Sequence, residues 1–69
     1  MDNVTITVEK TQGGLGADAW TAFVRFDGPT RSLNVRARGE NRQHARANLN
    51  NELAAILREL AMIHKELSS

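Results

Sequence analysis

Six arginines fall within one stretch of the chain, Arg25, Arg31, Arg36, Arg38, Arg42 and Arg46, with only Asp27 and Glu40 to oppose them. Six positive charges against two negative leave +4 on this segment. The rest of the chain sets Lys10, Arg58 and Lys65 against Asp2, Glu9, Asp18, Glu52, Glu59 and Glu66, a balance of three minus six, or −3. A guanidinium is a planar fork of donors that fits a phosphate bidentately and stacks on a base or an aromatic ring. A basic middle between acidic ends therefore points to an anionic partner held by charge pairing.

Other chemistry is hard to build from this chain. There is no Cys, so no disulfide and no thiolate nucleophile. His44 and His64 stand twenty positions apart and cannot share a metal, so no metal and no cofactor is expected. The carboxylates form no visible acid–base pair, and no Ser sits in an elbow motif. Gly13-Gly14-Leu15-Gly16 leads into a strand rather than a helix, which makes it a hairpin tip and not a phosphate cradle. The expectation is a non-enzymatic binding protein. Met1-Asp2-Asn3-Val4 has neither the basic start nor the apolar run of a leader, and no apolar run is long enough to span a membrane. A cytoplasmic location without membrane contact is the corresponding expectation.

The elements that must position the arginines follow from hydrophobic periodicity. Val4, Ile6 and Val8 alternate with Thr5, Thr7 and Glu9, a strand over about 4–9. Alternation returns over about 20–26, with Trp20, Ala22, Val24 and Phe26 on one face and Thr21, Phe23 and Arg25 on the other. Asp27-Gly28-Pro29-Thr30 supplies a tight turn. Leu33, Val35 and Ala37 then alternate with Ser32, Asn34, Arg36 and Arg38 over about 32–38. Gly39 closes the third strand, Asn41 is the N-cap, and a helix runs over about 42–66. The fold class is α+β, a three-stranded antiparallel meander with one long C-terminal helix packed on one face (β-β-β-α), as a single domain over 1–69. Asn48, Asn50 and Asn51 mark the place where this helix would kink or break, because Asn competes for backbone hydrogen bonds.

The helix carries a ladder, Leu49, Leu53, Ile56, Leu60, Ile63 and Leu67, at alternating spacings of four and three. A helix of this length spans roughly 37 Å, whereas the strands span roughly 20–23 Å. About two turns should therefore overhang the sheet. Leu49, Leu53 and Ile56 are expected to cover the sheet. Ile56, Leu60, Ile63 and Leu67 are assigned to an oligomer interface, with a dimer as the simplest homo-oligomer. A chain this short with no disulfide or metal needs such a staple.

If the alternating apolar residues face the helix, the outer sheet face displays Thr5, Thr7, Thr21, Phe23, Arg25, Ser32, Asn34, Arg36 and Arg38, and Arg42 and Arg46 at the helix start could extend the patch. The segment Gly39-Glu40-Asn41-Arg42-Gln43-His44-Ala45-Arg46 resembles the start of the last helix in double-stranded RNA-binding domains. Arg42, Ala45 and Arg46 fall where that family has Lys, Ala and Lys, and three strands precede the helix in both. The family's first helix is absent here, and Gln43 replaces a Lys. The resemblance implies phosphate contact at the helix start. By topology alone the chain is also similar to the arm-binding domains of phage integrases. The leading expectation is an oligomer that contacts nucleic acid through Arg25, Arg36, Arg38, Arg42, Arg46 and Phe23. The alternatives are a protein-binding accessory or inhibitor of phage or mobile-element type, and sequestration of a small phosphorylated ligand between subunits.

Overall fold

In the computed structural model, which describes residues 3–69, three strands precede one helix. They are β1 (Asn3–Lys10), β2 (Trp20–Asp27), β3 (Ser32–Gly39) and α1 (Arg42–Ser68). Met1 and Asp2, part of the segment read above for a leader, lie outside the described residues. The sheet is antiparallel in the order β1-β2-β3, as the alternation requires. In register, Ile6 faces Val24, which faces Val35; Val8 faces Ala22, which faces Ala37. The apolar set therefore lies on one face, since side chains alternate along a strand.

Glycine makes the first connection. Gly13 and Gly16 hold φ of 75° and 58°, a region that side chains with a Cβ rarely enter. A short 3-10 turn, Gly16–Asp18, sits within this loop, and the Thr11 N–H donates to the Ala19 carbonyl at 2.8 Å to close it. The β2–β3 turn closes with the Gly28 N–H donating to the Arg31 carbonyl at 2.9 Å.

Asn41 caps α1 as expected. Its backbone is extended, and its Oδ1 accepts from the His44 N–H at 2.9 Å. The helix then runs unbroken through all three asparagines. Asn48 does not compete with the helical ladder, because its side-chain amide donates to the Arg38 carbonyl at 2.7 Å and ties α1 to the end of β3.

The apolar core is small. Among the described residues, only Ala22, Ala45 and Leu49 are buried hydrophobics, with Val8, Trp20, Val24, Val35 and Ala37 half-covered around them. Ala45 packs where Gly39 leaves room for it. The last half-buried helical residue is Ile56, and every residue from Leu57 to Ser69 is exposed. That overhang of about three turns exceeds the two expected. Leu53, placed on the sheet by its spacing, is left partly exposed, because α1 lies over β2 and β3 and largely misses β1.

Candidate functional site

The outer face of the sheet is laid out in rows across the three strands. Thr5, Arg25 and Asn34 form one row; Thr7, Phe23 and Arg36 the next; Glu9, Thr21 and Arg38 the third. The Arg36 guanidinium carbon sits 5.7 Å from the centre of the Phe23 ring, a cation–π contact at the middle of the face. A shallow depression of about 310 Å³ is lined by Thr7, Glu9, Thr21, Phe23 and Arg36. A second, of about 410 Å³, shares Glu9, Thr21 and Arg36 with it and adds Lys10, Thr11, Gln12 and Arg38. Together they make one open trough from the sheet centre to its β1–β2 loop end.

Arg25 is less available than its neighbours. Its Nε donates to Asp27 at 3.1 Å, and the Ser32 hydroxyl donates to the same carboxylate at 2.7 Å. The Ser32 hydrogen bond, and after it the Arg25 guanidinium, hold the Asp27 carboxyl below the ordinary carboxylate range. A lowered folded-state value means that this group's contribution to stability is present above the ordinary value. It is lost as pH falls through the lowered one.

Arg42 and Arg46 do not join this face. The Arg42 guanidinium carbon lies 5.6 Å from the centre of the Trp20 ring, which belongs to the helix-facing side of the sheet. Arg46 lines a groove with Ile6, Val24, Leu49, Asn50 and Leu53 on that same side. The patch imagined as continuous is thus two patches, one on each side of the sheet. The rotation of α1 about its axis decides this, and Ala45 against Gly39 sets that rotation. The ring of Trp20 also accounts for Arg42 at a helix N-terminus: a cation there opposes the macrodipole by ~0.3–1 kcal/mol. A cation–π contact contributes about 0.5–1 kcal/mol in return.

Thr7 and Thr21 line the trough from the face where strand parity puts them, whereas Glu9, Lys10, Thr11 and Gln12 join it without having been expected there. The signal for Glu9 is the same parity, which places it on the face of Phe23 and Arg36. Ile56 is half-buried against the fold, whereas Leu60, Ile63 and Leu67 stand clear on the overhang. Among the described residues no cluster of His, Cys, Asp or Glu has the composition to hold a metal ion, and no helix is long and apolar enough to cross a membrane. No protein-family model, curated protein or solved structure matches the chain.

Proposed function

We propose that the protein binds nucleic acid, as a single strand laid across the outer face of its sheet. The observation that supports this most is the central row: Phe23 and the Arg36 guanidinium stacked on it, with Thr7 on the other side of the ring and Thr21 and Arg38 in the next row. A flat face with an aromatic and a guanidinium plane suits unstacked bases, while the free arginines take phosphates. A duplex keeps its bases inside, and α1, which could enter a groove, lies on the other side of the sheet. Self-association would set two such faces in one particle and raise avidity.

The layout bounds the affinity. Among the described residues no acidic group lies in hydrogen-bonding range of Arg36 or Arg38, Arg25 is held by Asp27, and Glu9 lies in the trough. Two phosphate contacts give a slope of log affinity against log salt of about −1.4, shallower than five arginines on one face would give. Fluorescence anisotropy of a labelled oligonucleotide at low ionic strength tests the reading. Binding should prefer single strand to duplex, and Arg36→Glu with Arg38→Glu should weaken it by roughly 30-fold or more, since two attractive charges become repulsive. Undetectable binding of the wild type to either form would falsify it.

Asp27→Asn provides a gain-of-affinity check. It removes a negative charge and releases Arg25, so binding should tighten several-fold and the salt slope should steepen by about 0.7, the equivalent of one added phosphate contact. An unchanged slope would mean that Arg25 does not reach the strand.

A further inference from the structure

The helix-facing side of the sheet is only partly covered. Between α1 and the inner face of β1 runs an open groove lined by Ile6, Val24, Leu49 and Leu53, with Arg46 and Asn50 at its rim. It continues past Val8 towards Arg42 and Gln43 at the start of the helix. Ile6 is 50% exposed there, although its position in the alternation is a core position. At the other end of the molecule, Leu60, Ile63 and Leu67 are 54%, 56% and 82% exposed on a stretch of helix with none of the described strands beneath it.

The scale of this exposure is measurable. The chain exposes 5728 Å². A folded monomer of 7.6 kDa is expected to expose about 4,300 Å², so roughly 1,400 Å² is in excess. The radius of gyration is 14.3 Å, where a closed fold of this length has about 11 Å. A stable protein–protein interface of ordinary size removes about 800 Å² from each partner. One such interface would account for more than half of the excess.

We infer that a second copy of this chain fills the groove with its own overhang, and reciprocally. The geometry closes under a two-fold axis perpendicular to the sheet near the middle of α1, around Leu53–Ile56. The first half of α1 lies over its own sheet and the second half projects beyond it. Turning a copy about that axis lays its overhang antiparallel beside the first half of α1, above β1. The operation keeps the sheet-facing side of the helix facing the sheet. The partner's Leu60, Ile63 and Leu67 then descend on Val4, Ile6 and Val8, and Leu53 meets the partner's Leu57 along the helix pair. Because the interface is isologous, each protomer supplies one groove and one overhang. Charge agrees with this direction. The first part of α1 carries Arg42 and Arg46 with no acid through Asn51, and the overhang that arrives beside them brings Glu59 and Glu66 with Arg58 and Lys65, a neutral segment that can turn its glutamates to these arginines. Antiparallel pairing also opposes the helix dipoles.

The inference concerns the face opposite the arginine trough and stands apart from the nucleic-acid reading. Sedimentation velocity of the full chain should give twice the 7.6 kDa protomer mass at tens of micromolar. Ile63→Asp with Leu67→Asp should weaken the dimer roughly 100-fold or more, as loss of central anchors does. Both positions lie off the monomer core, so an unchanged far-UV spectrum should accompany the change. The chain has no Cys, so engineered thiols report cleanly. A mixture of Ile6→Cys and Ile63→Cys single variants should form an intermolecular disulfide under mild oxidation. A monomer at every concentration would mean that another molecule covers the face, and it overturns the proposal. So does a dimer that survives both aspartates, since it would be held elsewhere, such as by pairing of the β1 edges. Cross-linking of Ile63→Cys only to itself would replace the reciprocal seat with a simple helix seam.

Discussion

Gly39→Ala is expected to abolish the cooperative folded state at 25 °C, read as loss of the thermal transition in far-UV circular dichroism. Gly39 is the last residue of β3 and is buried under the first turn of α1. A Cβ built there would meet the Ala45 backbone nitrogen, with the His44 carbonyl carbon at 2.6 Å and the Ala45 Cα at 2.8 Å. All three are backbone atoms, so no rotamer change relieves the clash. Relief requires lifting the start of α1 from the sheet. That movement separates Ala45 and Leu49 from Ala22, which together are the buried core. Overpacking of an ordinary core costs about 1–3 kcal/mol, occasionally more. A chain of this length has only about 3–10 kcal/mol in total, and so small a core places it near the lower end. Gly13→Ala is the control. Its φ of 75° is strained for alanine, but no atom lies within 4 Å of the added Cβ. Its cost should stay near 1–2 kcal/mol, the penalty of the left-handed conformation alone. Equal melting of the two variants would remove the close approach of Gly39 and Ala45 from its central place in the fold.

That close approach also explains why the sequence could be read so unevenly. Strand parity is a local property. Once Val4, Ile6 and Val8 alternate with threonines, and Trp20 to Phe26 and Leu33 to Ala37 alternate likewise, the two faces of the sheet follow without knowledge of the helix. The positions of Phe23, Arg25, Arg36 and Arg38 on the outer face were legible for that reason, and so was the cap at Asn41. The phase of α1 was not legible, because it depends on a contact between residues on two elements. Gly39 beside Ala45 turns Arg42 onto Trp20 and Arg46 towards β1, away from the arginines of β2 and β3. The role of the Asn48 side chain is hidden on the same ground: its partner, the Arg38 carbonyl, comes within reach only when α1 is docked. The lateral offset of the helix was equally hidden. Periodicity shows that Leu53 shares a stripe with Leu49, but not that the sheet beneath the stripe ends on one side.

Leu49→Ala is expected to be the most damaging truncation of a single side chain, and its comparison with Leu60→Ala separates the two jobs of the helix. Leu49 is 4% exposed and is the one large side chain buried among the described residues. Truncating a buried leucine costs about 2–5 kcal/mol, from lost transfer energy and the cavity left behind. Here Trp20, Val24 and Val35 around it are themselves half-covered. The site could collapse partly or admit water, which favours the lower half of that range. Even so, the loss approaches the whole stability of a 69-residue chain. Urea melts in dilute solution should show little or no folded baseline. Leu60 lies beyond the sheet and contributes nothing to the monomer core. Leu60→Ala should leave the midpoint unchanged in dilute solution. In the concentrated regime it should lower the midpoint, because a partner that binds only the folded state stabilises it by mass action. The sign of that concentration dependence is the discriminating result. If Leu60→Ala lowered stability equally at all concentrations, the overhang would be packing within its own chain. If Leu49→Ala were tolerated when the protein is dilute, the core would have to lie somewhere other than between Ala22, Ala45 and the first half of α1.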